Sequence, residues 1–178
     1  NHNQILSGSD QSFIGAGGDN KIMDYAFQSS ILGGFGNIIK GKGQNVNNAS
    51  RESAIVGGVI NIISNGSYRT IIGGGHHNSA SNAAFDSAIL GGSYNTIANL
   101  ASSNIIGAGS YNYIGDLGTQ GGLSFPWFNF IGAGSYNEIR DGANYSFIGA
   151  GLSNRISASN FSFIGGGARN RIEHLCSS

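Results

Sequence analysis

Apolar and polar residues alternate with a period of two over short stretches of this chain, and the stretches recur. IGAGGDNKI begins at Ile14, ILGGFGNII at Ile31, IVGGVINII at Ile55 and IGGGHHNSA at Ile72. ILGGSYNTI follows at Ile89, IGAGSYNYI at Ile106, IGAGSYNEI at Ile131, IGAGLSNRI at Ile148 and IGGGARNRI at Ile164. Two residues ahead of each leading Ile stands Ser12, Ser29, Ser53, Thr70, Ser87, Asn104, Asn129, Ser146 or Ser162. Small polar, Ile and very small residues therefore share one face of a strand. The second Ile follows the Asn by two and predicts another strand in each unit (only Ala80 departs from it). Helical spacing is absent, and the Gly-rich runs would cost a helix about 1 kcal/mol per Gly.

The Asn of each unit measures the period. It occurs as Asn3, Asn20, Asn37, Asn61, Asn78, Asn95, Asn112, Asn137, Asn154 and Asn170, spaced by 17, 17, 24, 17, 17, 17, 25, 17 and 16. The repeat is thus 17 residues, with insertions of 7 and 8 residues and one single-residue deletion. One chain-long repeat means a single domain over residues 1–178,. A 17-residue coil reaches about 56 Å extended, enough for two strands and two tight turns. The pattern predicts an all-β parallel β-solenoid, a β-roll of about ten coils stacked at roughly 4.8 Å.

Each recurring residue carries an expectation. The two Ile series form apolar ladders inside the coil. The fourth-position Gly, from Gly17 to Gly167, marks a positive φ or a close backbone approach,. The Asn series from Asn20 to Asn170 is expected to be a structural ladder of left-handed turn residues with stacked amides,. The position before the leading Ile should point away from the core, yet it is apolar in eight of nine units. Phe13, Ile71, Ile105, Phe130, Phe147 and Phe163 are its bulky members and are predicted to form an oligomer interface,. The third position is always Gly or Ala, which allows close approach of neighbouring backbone. Together these predict a homo-oligomer wound about a shared axis, most simply a trimer.

The repeated S-x-I-G-G/A-G-x-x-N-x-I, with Ala-x-x-Ser ahead of it at Ala26–Ser29, Ala84–Ser87 and Ala143–Ser146, resembles the Gly-rich head repeats of trimeric autotransporter adhesins. The Yersinia-adhesin type is most similar, and phage tail fibres carry comparable arrays. The resemblance covers essentially the whole chain. It implies a left-handed parallel β-roll in a homotrimer, exported or carried on a virion, acting in attachment to a host surface, matrix or glycan. The chain departs from that pattern in its longer period, its Ile-rich core and its insertions.

Composition narrows the chemistry. The chain has 31 Gly in 178 residues, 9 Lys plus Arg, 9 Asp plus Glu and no net charge. The electrostatic footprint of a nucleic-acid binder is missing, one Cys excludes a disulfide framework, and no apolar run approaches a helical membrane span. The chain opens on Asn1 rather than Met, so a targeting segment is expected to be absent from these residues,. No catalytic constellation, cofactor motif or metal set stands out. His76-His77 fills a turn slot and lacks the other ligands of a metal site,. Arg155, Arg169 and Arg171 read as a small solvated basic cluster.

Contact residues are expected in two places. Tyr94, Tyr111 and Tyr136 precede the Asn in three successive units and should stack as an aromatic ladder near the surface,. The insertions at 40–50 and 115–128 leave the same corner of the coil, and the second supplies Phe125, Trp127 and Phe128,. These six residues are the candidates for ligand or receptor contact. The alternative for the tyrosines is a stabilising stack, and for Trp127 and its neighbours a seal on the adjoining coil. A non-enzymatic surface adhesive module is the leading expectation. A viral fibre segment, a polysaccharide-cleaving fibre and an ice-binding solenoid are the other readings.

Overall fold

The computed structural model describes residues 2–43, 49–117 and 125–173. Among these residues nineteen short strands alternate between two parallel sheets. The ten-stranded sheet runs from β1 (Gln4–Ile5) to β19 (Arg171–Glu173), and the nine-stranded sheet from β2 (Phe13–Ile14) to β18 (Phe163–Ile164). Each strand pairs with its equivalent one coil away, Ile97 beside Ile114 and Ile89 beside Ile106. The chain is a parallel β-solenoid of about nine turns, with β1 as a leading half-coil, slightly fewer than the ten coils expected from the sequence.

The core follows from the alternation. Both Ile series point inward, and from Ile22 to Ile156 they are fully buried, each side chain worth about 1.5–3 kcal/mol,. An Ala series (Ala26, Ala84, Ala101, Ala143) fills the narrow end. Two polar ladders share the interior. Asn95 donates from Nδ2 to the carbonyls of Gly91 and Gly109, both at 3.0 Å, and its Oδ1 accepts the Asn112 N–H at 3.0 Å. In the second ladder Ser87 Oγ accepts the Asn104 N–H, and Asn104 Oδ1 accepts the Asn129 N–H at 2.8 Å. Buried polar side chains here replace the turn solvation that a coil this tight excludes.

One expectation is corrected. The left-handed residue at this corner is not the Asn but the one before it: Tyr94, Tyr111 and Tyr136 have φ of 56°, 56° and 57°. The Asn side chain thereby turns inward, where its amide can reach two coils. The fourth-position Gly does take positive φ, 85° at Gly92, and a Cβ there would overlap the Gly109 carbonyl oxygen.

The insertions begin and end inside the coils. Lys40 ends β5 (Ile38–Lys40), and Ala49 and Ser50 are buried. Gly115 ends β13 (Tyr113–Gly115), while Trp127 bridges Ser102 of the preceding coil. Residues 44–48 and 118–124, the middles of both predicted loops, lie outside the described residues.

Candidate functional site

The outward faces of the two sheets differ in chemistry. The ten-stranded sheet carries Lys21, Lys40, Glu138, Arg140, Arg155, Arg171 and Glu173 on its outer side. Arg155 pairs with Glu138 at 2.8 Å and Arg171 lies 3.9 Å from Glu173, so two arginines of the basic cluster expected at the last coils face acids, while Arg169 takes the left-handed corner position with φ of 58°. Asp141 is buried but fully engaged, its oxygens accepting the Leu117 N–H at 3.2 Å and the Ser157 hydroxyl at 3.0 Å. Tyr113 packs beside this group, and burial pushes its phenol up to about 12,.

The nine-stranded sheet has no charge on its outer face. Phe13, Ile71, Ile105, Phe130, Phe147 and Phe163 all stand there, as the alternation requires. The neighbouring outward column, two residues on, completes a pattern that reading one column at a time misses. Where the first column is Phe or Ile the second is Gly, as in Phe13–Gly15, Ile71–Gly73 and Phe130–Gly132. Where the first is Ser or Ala the second is bulky: Ser30–Leu32, Ala54–Val56 and Ala88–Leu90. Every coil thus places one large apolar side chain on this face, and the Phe rings lie back over their Gly, 3.2 Å from a Cβ at Gly132. Phe130, Phe147 and Phe163 stack at 5.2 Å. Leu90 is 59% exposed and Phe163 68%.

The third-position small residues border this strip, and here the expected close approach is not found within one chain. A Cβ added at Gly33, Gly57, Gly74 or Gly91 would meet nothing within 4 Å. The tight approaches sit at the fourth-position Gly and at Gly73 or Gly107 instead.

The corners carry the aromatic candidates. Tyr94, Tyr111 and Tyr136 stack in parallel at 4.8 and 4.9 Å, and His77 extends the ladder at 4.9 Å from Tyr94. The faces of Tyr94 and Tyr111 are both covered by neighbouring rings, so these two show solvent their edges and hydroxyls,. His76 Nε2 lies 2.9 Å from His77 Nδ1. Among the described residues no group of three or more His, Cys, Asp or Glu is placed to hold a metal ion.

At the opposite corner Phe128 begins a ladder the sequence reading missed: Phe128, Tyr145 and Phe161 stack at 5.2 and 5.1 Å. Phe125 and Trp127 lie 6.5 Å apart and, with Gly142 and Asn144, line a cleft of about 280 Å³. Trp127 N–H donates to Asn144 Oδ1 at 2.8 Å, which fixes its place in the coil. Trp127 and Phe128 are corner residues of a rigid turn, and both are about half exposed. The two candidate groups, 94/111/136 and 125/127/128, occupy different edges of the rod. No protein-family model and no curated protein matches this chain.

Proposed function

We propose that this protein is a rigid, non-enzymatic attachment module of a cell or virion surface, and that its copies associate through the outer face of the nine-stranded sheet, most simply as a homotrimer. The observation that carries the reading is the uncharged face with one bulky apolar residue in each coil. Nine strands at about 4.8 Å make this strip about 38 Å long, more continuous apolar surface than a solitary soluble chain usually leaves in water. The small-residue border supports the same reading, because the space beside Gly33, Gly57, Gly74 and Gly91 is empty within the chain and leaves room for a neighbour,. Such an assembly leaves the corners outward. There Phe125, Trp127 and Phe128, or the Tyr94–Tyr111–Tyr136 ladder, meet a host protein or glycan.

Light scattering on the native protein tests the assembly. Wild type is expected at three times the chain mass, and Leu90→Asp, an exposed position, is expected to shift it to monomer. A monomeric wild type overturns the interface. For attachment, Trp127→Ala is expected to weaken binding to glycan- or matrix-coated surfaces at least tenfold, a loss of about 1.4 kcal/mol.

A further inference from the structure

The first two coils hold a cleft that none of the contact candidates touches. Gly8, Asp10, Gln11, Tyr25, Phe27 and Gln28 line about 380 Å³ at the corner preceding the first insertion. That is within the usual range for small-ligand clefts. Its floor is preset by the backbone. Gln11, Tyr25 and Gln28 are all left-handed, with φ of 56°, 67° and 54°. The Gln28 N–H donates to the Asp10 carbonyl at 3.0 Å and the Tyr25 N–H to that of Ser7 at 3.3 Å. Position 8 must be Gly for the Tyr25 ring to settle, since a Cβ there would stand 2.8 Å from the ring.

The polar rim is oriented as well. Gln28 Nε2 donates to Gln11 Oε1 at 2.9 Å. That leaves Gln11 Nε2 as a donor and Gln28 Oε1 as an acceptor without partners among the described residues. Two aromatic side chains in one lining with amides that both donate and accept and one carboxylate suit a ligand with an apolar CH face and a ring of hydroxyls,. An anion would face Asp10, while the nearby Arg51 guanidinium is taken up over the Phe27 ring, 5.9 Å from its centroid. The Trp127 cleft offers less hydrogen bonding, because Asn144 Oδ1 is already committed.

We infer that the Gly8–Gln28 cleft binds a neutral pyranose unit, the hexose stacking on Tyr25 and Phe27 and hydrogen-bonding to Gln11, Gln28 and Asp10. This deepens the attachment reading by naming glycan as the class of ligand. Saturation-transfer NMR with the methyl glycosides of glucose, galactose, mannose and N-acetylglucosamine tests it, with choline as a cationic probe. Saturation should reach the ring protons of at least one glycoside. Tyr25→Ala and Gln28→Ala should each weaken that binding about tenfold, and Arg171→Ala, an exposed side chain in the last coil, should leave it unchanged. Because Gln28 is exposed, Gln28→Ala is expected to keep the fold, which a melting curve checks. No transfer to any glycoside, transfer that survives both substitutions, or binding of choline alone overturns the inference. Light scattering on the same samples separates the two claims: a trimer without sugar signal loses the cleft, and a monomer with it loses the interface.

Discussion

Asn95 shows how one residue type holds this coil together. It links its own coil to both neighbours, because its Oδ1 and Nδ2 bond to backbone on either side. Asn95→Ala leaves the buried Asn112 N–H without its partner and removes the amide donor from the half-buried Gly91 and Gly109 carbonyls, of which Gly109 keeps the Ser93 N–H. The orphaned N–H costs about 1–3 kcal/mol and the lost amide bonds add about 1 kcal/mol, so a loss of roughly 2–4 kcal/mol is expected in urea unfolding. The ladder itself was legible in the sequence, since an Asn at every seventeenth position admits few other roles. The backbone sign was not. Bulky residues such as Ile60 and Tyr94 rarely adopt positive φ,, and nothing in the spacing showed that they, and not Asn, would carry it here. The inward amide makes up for that strain.

Strand pairing was equally legible, because a period of two fixes which face each residue takes. What escaped was chemistry between columns. The exchange of bulk between Ile71–Gly73 and Ala88–Leu90 emerges only when two outward positions are compared across coils. The Phe128–Tyr145–Phe161 ladder was hidden by an insertion and by the 16-residue spacing that follows Tyr145. On the charged sheet, Tyr113 offers a pH test. Its phenol is held neutral up to about 12, against a usual value near 10,. The folded state then retains a proton that the unfolded chain has released, so stability is full below pH 10 and declines from pH 10 toward 12. Tyr113→Phe is expected to flatten that decline in alkaline melting curves; an unchanged slope would place the phenol in water.

Over the whole molecule, contacts join nearest-neighbour coils, as in other one-dimensional repeat folds,. Stability should therefore vary along the rod. Amides of central strands such as Ile97 and Ile114 are expected to exchange slowest with deuterium, and those near Gln4 and Phe163 fastest,. Uniform protection from end to end would mean that something outside these coils caps them.

The same stacking determines how the rod answers force. Its inter-coil hydrogen bonds lie along the axis, so tension applied between Gln4 and Glu173 loads one coil's bonds at a time and peels the end coils first. Lateral association through the uncharged face would spread the same load across chains as shear. A single chain would then be easily unwound, and a bundle of chains would serve as a tether that resists flow.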